Sequence, residues 1–554
     1  MSNKKRKFIF VVGGVMSGVG KGVAASSIAK ILQFNGLKTT AVKVDPYVNV
    51  DAGTMNPTEH GEVFVLDDGY ECDQDMGNYE RFLNTSLTKD SYMTTGSVYL
   101  KVINKERSLG YKGKCVDVVP HVPLGVIEQI ENAGKIEDAD VVIIEIGGTL
   151  GEYQNILFLE AARMLANKYP KDVMNVLVSF LPIPHKIGEM KTKPTQYAVK
   201  TMGQTGLSPD LLIGRSEIPM DEKRKEKLAF SCSMKKEEII SAPDIDSIYD
   251  VPENFLKENL DKIIIKKLNI KKTRKNNKEI KEWKDFVKSS KNGNKKINIA
   301  VVGKYFDTGD FVLSDAYISI IEALKFSAYK NKVGIELEWI NSRSFEGKSA
   351  PSELKKLKNY DGVLIPGGFG KTGIEGKIKA IEFVRKNKIP YFGICYGMQL
   401  ASIEYARNIC KIKDATSYEI NPKAKNKVIT ILPEQEKLLK QGDYGGSMRL
   451  GSYPALLKKG TLAHKLYSKT EILERHRHRY ELSREYTDIL EKNGFVISGT
   501  SPDGKLPEII ELKKKDHPFF IAVQFHPEMK ARPLDPHPIF NGFIKAAKNK
   551  QKAK

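Results

Sequence analysis

Along the first half of the chain, short unbroken apolar runs alternate with stretches of helical periodicity. The runs are FIFVVGG (residues 8–14), KTTAVKV (38–44), VVIIEIGG (141–148), NVLVSFLP (175–182) and DLLIGRSE (210–217). Runs that are apolar on both faces and end in glycine or a polar residue predict parallel strands covered by helices on each side. A lysine-rich stretch at 266–296 interrupts this pattern, which then restarts with INIAVVGKY (297–305), DGVLIPGGFG (361–370), IPYFGICYGM (389–398) and FFIAVQFHPE (519–528). The prediction is two α/β domains joined near residues 268–295, with no internal repeat and with ligands where the strands end.

Composition narrows the class. A chain of 554 residues with 41% hydrophobic and 28% charged positions is too long for one core and fits a folded, water-soluble protein. No signal peptide follows the basic start MSNKKRK, and no apolar run is long enough for a bilayer. The five cysteines form no C-x-x-C pair, which argues against a disulfide framework or zinc site and for a reducing cytoplasm. The net charge of +21 raises nucleic acid as a partner. However, much of the lysine lies in 266–296 and in the tail AAKNKQKAK (546–554), which read as a solvated linker and end without an aromatic stacking platform. Neither nucleic acid nor membrane is expected as a partner.

The first run continues as FIFVVGGVMSGVGKG (8–22), close to a phosphate-binding loop but not a standard one. The standard pattern, G-x-x-x-x-G-K-[S/T], needs glycine where Val15 stands and a hydroxyl for Mg²⁺ where Gly22 stands. A glycine-rich turn into a helix still suits a phosphate better than a plain strand–helix turn, with Lys21 reaching the terminal phosphates. Metal ligands must then come from elsewhere. Glu145 sits between Ile144 and Ile146 in an apolar strand, a costly place for a carboxylate without a partner. Asp73 and Asp75 lie in the acidic segment 67–82, which is equally readable as a solvated turn. Lys43 closes a strand, and Lys191 and Lys193 occupy a Thr/Pro-rich loop suited either to a second polyanion or to solvent.

In the second half, IPYFGICYGM places Cys395 in a tight turn between strand and helix, the geometry of a nucleophile elbow. A helix N-terminus favours thiolate over thiol. His526 and Glu528 end a later strand, where the ring can take the thiol proton and the carboxylate can orient the ring. LIPGGFG (364–370) offers backbone N–H groups for an oxyanion. Cys72, Cys115, Cys232 and Cys410 read as packing residues. In ERHRHRYEL (474–482), strand alternation puts His476 and His478 on one face and Arg475, Arg477 and Arg479 on the other. Carboxylate recognition by the arginines is favoured there over a metal site.

Taken in order, GGVMSGVGKG, KVDPYVNVDAGTM, HGEVFV, DMGNYERF, EIGGTLG, KTKPTQ, DSIY, PGGFG, GICYGMQ, GGSMRLG, RHRHRYE and FHPE resemble the glutamine-hydrolysing CTP synthases along nearly the whole chain. The resemblance implies a dethiobiotin-synthetase-like, P-loop-like synthetase domain over 1–270. After a linker at 271–296 would come a flavodoxin-like class I glutamine amidotransferase domain over 297–546 and a basic tail at 547–554. It implies that Gly18, Val19, Gly20, Lys21, Gly22 and Val23 cradle ATP, with Arg215, Pro243, Asp244 and Ile245 on the adenine side. Lys43 would assist phosphoryl transfer, and Asp75, itself an ATP contact, would hold Mg²⁺ with Glu145.

UTP, or CTP as inhibitor, would meet Ser17, Glu152, Tyr153, Gln154, Lys191, Thr192, Lys193, Pro194, Thr195, Gln196 and Lys227. Cys395, His526 and Glu528 would be the triad, and L-glutamine would meet Gly368, Tyr396, Gly397, Met398, Gln399, Glu419 and Arg479. The resemblance also implies activation by GTP and a cytoplasmic homotetramer able to form filaments. The sequence departs from the family where an Asp-x-Glu pair usually stands and here reads Glu152-Tyr153-Gln154, so CTP feedback is expected to differ. Lys371-Thr372 and Pro243 are further departures, near features tied to GTP and ATP. Two rivals are a GMP-synthetase-like ligase, which would adenylylate its substrate, and a partitioning-type ATPase, which has no use for a fused glutaminase.

Overall fold

The computed structural model describes residues 5–186, 188–271, 273–291, 293, 295–303, 314–368, 370–431 and 448–553. Lys304, Tyr305, Phe369, Gly445, Gly446 and Ser447 of the motifs above lie outside them, as do Lys272, Asn292 and Asn294 of the lysine-rich stretch and Lys554 of the tail. Among the described residues no helix is long and apolar enough to cross a membrane.

The five apolar runs of the first half become five strands of one seven-stranded sheet, which Tyr92–Thr94 and Ile239–Pro243 complete at its edges. Across it lie Tyr92–Thr94, Thr39–Asp45, Val141–Ile146, Lys7–Gly14, Val173–Phe180, Leu211–Ser216 and Ile239–Pro243. Every pairing is parallel. The strand Val141–Ile146 is buried throughout, as its lack of alternation requires. Lys7–Gly14 lies mid-sheet and feeds the helix Lys21–Phe34, so the glycine-rich turn opens at the C-terminal edge where such sheets bind ligands.

The second half builds a mixed nine-stranded sheet. Gly334–Asn341, Lys296–Gly303, Gly362–Ile365, Tyr391–Ile394 and Phe520–Val523 run parallel. Pro507–Leu512, Phe495–Thr500, Arg449–Leu457 and Glu471–His478 extend it antiparallel. The parallel strands Tyr391–Ile394 and Phe520–Val523 are neighbours, which brings their C-terminal ends, carrying Cys395 and His526, to one edge.

Three features differ from the expectation of two halves and a solvated linker. The compact units are Met1–Ala52 with Asp75–Val287, and Gly53–Gln74 with Lys288–Lys554. A segment from the first half thus belongs to the second unit. The lysine-rich stretch is not simply solvated, because Asn277–Lys291 is a helix. Its Trp283, Phe286 and Val287, spaced i, i+3 and i+4, form one apolar stripe and are buried. Trp283 packs against Phe34, Phe82 and Tyr249, and its ring lies 5.0 Å from the buried Lys30 ammonium, which pairs with Glu279 at 2.5 Å. The basic tail is likewise structured as the end of helix Pro538–Ala553, with Lys548 Nζ donating to the Asn331 carbonyl at 2.7 Å.

Two candidate active sites

The turn after strand Lys7–Gly14 takes left-handed backbone at Val15, Gly18 and Gly20, with φ of 79°, 70° and 88°. At Gly18 and Gly20 that costs little, whereas a β-branched residue is strained there. Val15 therefore stands where the standard loop has glycine and adopts the backbone that glycine would. Lys21 opens the helix, buried, and its Nζ donates to the Gly148 carbonyl at 2.9 Å. Burial lowers its pKa from lysine's ordinary value, against the pull of Glu145 and Asp75.

Glu145 is fully paired within its apolar strand. Lys43 Nζ lies 2.8 Å from Glu145 Oε1, 2.5 Å from Asp75 Oδ2 and 3.7 Å from Asp45, and Tyr79 donates its hydroxyl to Glu145 Oε2. Burial raises the Glu145 pKa despite Lys43, while at Asp75 the opposing Lys43 charge outweighs burial and lowers it. Gly22 explains why the hydroxyl of the standard loop is missing. A Cβ there would sit 3.1 Å from Asp75 Oδ1 and 3.2 Å from Glu145 Oε2. Both carboxylates turn an oxygen to the side-chain space of residue 22, where the standard loop keeps its metal-binding hydroxyl. Two hard oxygen donors aimed at one place fit Mg²⁺, which takes one or two carboxylates and completes its shell with phosphate and water. Among the described residues no group of three His, Cys, Asp or Glu side chains gathers as a metal cage.

Beside this loop a cavity of about 140 Å³ is lined by Gly20, Val23, Ile213, Arg215, Pro243, Asp244, Ile245 and Phe255, among others. Its rim carries the Arg215–Asp244 pair at 2.8 Å. Apolar walls and one charged rim suit a flat heterocycle.

In the second unit Cys395 has φ 49° and ψ −98° between strand Tyr391–Ile394 and helix Tyr396–Asn408. A non-glycine residue held in such backbone stores strain, as nucleophile elbows do. His526 Nδ1 lies 2.7 Å from Glu528 Oε1. Burial works to discharge the ring, but Glu528 and Cys395 outweigh it and raise the pKa to about 10. With Nδ1 committed to Glu528, Nε2 is the nitrogen left to exchange a proton with the thiol. A cavity of about 80 Å³ joins Cys395, His526, Gly367, Gly368 and Arg477 to Pro57, Glu62 and Val63. Gly367 must be glycine, since a Cβ would come within 2.8 Å of His526 Cε1.

Comparison with known proteins agrees with this arrangement of two sites in one chain. Residues 7–270 match the family described as CTP synthase N-terminus, and residues 312–546 match glutamine amidotransferase class-I. A CTP synthase of Methanococcus aeolicus is 48% identical over 549 residues, covering 98% of this chain and 99% of that protein. The chain belongs to the CTP synthase family. As such, with its amidotransferase domain, it is a glutamine-hydrolysing ligase. CTP synthases of Carboxydothermus hydrogenoformans and Methanocaldococcus jannaschii are 48% and 46% identical, each over 98% of this chain. The glutaminase domain of Trypanosoma brucei CTPS, solved with bound acivicin, is 36% identical over 46% of this chain, with a TM-score of 0.42.

The CTP synthase pattern thus maps onto two groups of residues that the fold gathers, and one that it leaves dispersed. The residues expected around ATP converge, as do the triad residues. In the glutamine set, Glu419 Oε1 accepts from Gly370 N–H at 2.7 Å, and Tyr396 donates to the Gly370 carbonyl at 3.1 Å, bracing the loop that could hold an oxyanion. Met398 is fully buried, and Gly397 is needed because a Cβ would meet the Ile365 carbonyl at 2.4 Å. Gln399 donates to the Tyr480 carbonyl at 2.8 Å, and Arg479 lies half-buried beside it.

The residues expected around UTP are less concentrated. Ser17 and Tyr153 are exposed, Glu152 accepts from Gln154 Nε2 at 2.7 Å, and Lys191 pairs with Glu189 at 2.6 Å. Thr195 is buried against Ser179, and Thr192 accepts from Gln196. Pro194 lies in the first turn of helix Lys193–Gln204, Lys227 is exposed, and Lys193 and Gln196 line a depression that does not include Ser17 or Lys21.

The alternation read in ERHRHRYEL is present. Arg475 meets Asp67 and Arg477 meets Glu71, both at 2.7 Å, so these two arginines bind carboxylates of the chain itself. On the opposite face His476 Nδ1 and His478 Nε2 are 2.9 Å apart in a buried group with Arg449, Glu481 and Glu508. Burial, with Arg449 nearby, drives both ring pKa values well below the ordinary 6.5, so these rings are neutral. Sequence reasoning gave no role to Pro57, Glu62 and Val63, although the motif HGEVFV contains two of them. It also passed over Gln524, two residues before His526.

Proposed function

We propose that this chain makes CTP from UTP, ATP and glutamine by two reactions at two sites. The support is that one polypeptide holds an elbow thiol beside an imidazole paired with a carboxylate and, separately, a glycine-rich loop whose Lys21 lies near Lys43 and its two carboxylates. His526 takes the proton of Cys395, and the thiolate attacks the side-chain amide of glutamine. The ring returns the proton to the departing ammonia, leaving a thioester. Water, deprotonated by His526, then releases glutamate and the Cys395 thiolate beside the protonated ring. The N–H groups around Gly367 and Gly368 face the oxyanion that forms in each half.

At the other site Lys21 and Lys43 offset the charge of the γ-phosphoryl as it passes from ATP to O4 of UTP, giving ADP. Ammonia adds at C4, and phosphate departs where hydroxide would leave poorly. Asp75 and Glu145 would hold the Mg²⁺ of Mg·ATP, which neutralises charge on the phosphates. Gly20, Val23, Arg215, Pro243, Asp244 and Ile245 bind the adenine end, and Ser17, Glu152 and the loop at 191–196 bind UTP, or CTP as inhibitor. Ammonia passes internally between the sites. GTP activates, subunits form a homotetramer, and the enzyme works in the cytoplasm.

The test is Cys395→Ala, assayed for CTP with either glutamine or ammonia as nitrogen source. Glutamine-dependent formation is lost and ammonia-dependent formation remains near the parental rate. Equal loss of both, or of neither, refutes the division into two sites.

A further inference from the structure

Gln524 is buried at 1% exposure at the end of strand Phe520–Val523, and its Nε2 lies 3.6 Å from Cys395 Sγ. Which end of that amide faces the sulfur follows from its neighbours. The Tyr480 carbonyl can only accept, so the end of Gln399 that meets it at 2.8 Å is the NH₂ group. The second N–H of that group meets Gln524 at 3.4 Å, where it requires an oxygen. Gln524 must therefore present Oε1 to Gln399 and its own NH₂ to the sulfur. A reversed Gln524 would set two donors against each other in a buried place. Of the other polar groups near Sγ, His526 is the ring that takes its proton, and the Arg477 carbonyl at 4.0 Å is an acceptor that gives a thiolate nothing.

We propose that Gln524 is a catalytic residue of the glutaminase site, donating an N–H to the Cys395 thiolate and holding it in the reactive form between turnovers. This rests on the reading of Cys395 as the nucleophile. His526 removes the proton, and Gln524 stabilises the charge left behind, so the two divide the work of making a thiolate in a buried site. The donor acts on the resting sulfur and not on the oxyanion, whose charge develops on the substrate. A hydrogen bond to a buried charge is strong enough to move an ionisation by about one pH unit or more. The backbone carbonyl of Tyr480 sets the direction of the whole relay, which makes it independent of any side-chain charge.

The test is the rate at which iodoacetamide alkylates Cys395 in the full-length protein, followed by mass spectrometry across pH. The parent is compared with Gln524→Met, of similar shape without a donor, and with Gln524→Glu. In Gln524→Met the rate profile moves up by about one pH unit, giving roughly tenfold slower alkylation at neutral pH. In Gln524→Glu it moves further, because a carboxylate faces the sulfur. Gln399→Glu gives a shift in the same direction without touching Gln524, because an acceptor at 399 turns the neighbouring NH₂ away from the sulfur.

Superimposable profiles for the parent and both Gln524 variants overturn the proposal. So does a fall in glutamine turnover with an unmoved profile, which would mark a structural role. Thermal unfolding of each variant reports whether it is folded. If Cys395 in the parent is neither alkylated in preference to the other cysteines nor protected by glutamine, the nucleophile reading fails instead.

Discussion

Gly22→Ser restores the residue that a standard phosphate-binding loop carries, and here it is expected to damage the enzyme. The new Cβ would lie 3.1 Å from Asp75 Oδ1 and 3.2 Å from Glu145 Oε2, where ordinary contact begins at 3.4 Å. Neither carboxylate can retreat freely, since Lys43 holds them at 2.5 and 2.8 Å and Tyr79 holds Glu145 as well. Each must give by a few tenths of an ångström, and the serine hydroxyl fills the place their oxygens face. The fold itself should barely notice. Gly22 is the second residue of its helix, and exchanging glycine there offsets the crowding by at most about 1 kcal/mol.

Catalysis is more sensitive, because a misplacement of about 1 Å costs roughly 100-fold. A shift of a few tenths with obstruction predicts a loss of about 10- to 100-fold. The assay is CTP formation with saturating ammonia at several Mg²⁺ concentrations, which bypasses the glutaminase. Alkylation of Cys395 and the unfolding midpoint serve as controls and stay parental. An ammonia-dependent rate equal to or above the parent would refute the reasoning, since serine would then be acting as the ligand that the two carboxylates are said to replace.

Three further outcomes follow from the charges. The His526 pKa of about 10 lies above the ordinary 6.5. Its stabilising contribution is therefore complete below pH 6.5 and is lost as pH rises to about 10, and Glu528→Gln flattens that slope in denaturant titrations; an unchanged slope would count against the ion pair. Glu481, desolvated beside Glu508, has its pKa raised to about 7 although Arg449 opposes the shift. Here the folded state holds a proton that the unfolded state releases, so stability falls as pH rises from about 4.5 to 7, and Glu481→Gln removes that fall; persistence of the fall would place its origin elsewhere. Gln154 donates to Glu152, so Glu152→Asp with Gln154→Glu sets two carboxylates together and alters inhibition by CTP, read as the concentration giving half-maximal inhibition; an unchanged value would separate this pair from feedback.

The central parallel strands of both sheets were legible because the signals are local, whereas the antiparallel extension of the second sheet was not read. Apolar runs without alternation marked buried strands; Glu145 stands in one, Cys395 and His526 follow the ends of two others, and Lys21 opens the helix after the first. What sequence reading missed depends on distant partners. In Asn277–Lys291 three apolar residues are spaced for one face among many lysines, so composition hid a packed helix. Arg475 and Arg477 announced carboxylate recognition, but nothing local said that Asp67 and Glu71 would answer, some four hundred residues earlier. The left-handed backbone of Val15 was concealed by its side chain, since residue identity argued against the conformation that the turn imposes. Gln524 carried no signal, because its meaning comes from a hydrogen-bond order fixed by Tyr480.

The assignment of Gly53–Gln74 to the second unit bears on modularity. A class I amidotransferase domain excised at the lysine-rich stretch would leave behind Pro57, Glu62 and Val63, which line the thiol cavity, and the acids that neutralise Arg475 and Arg477. Such a fragment would be a glutaminase with a missing wall and two arginines short of a carboxylate each. The borrowed segment hands the chain back at Asp75, one of the two carboxylates beside the glycine-rich loop. A cut in the chain at the lysine-rich stretch therefore does not coincide with the boundary between the two compact units.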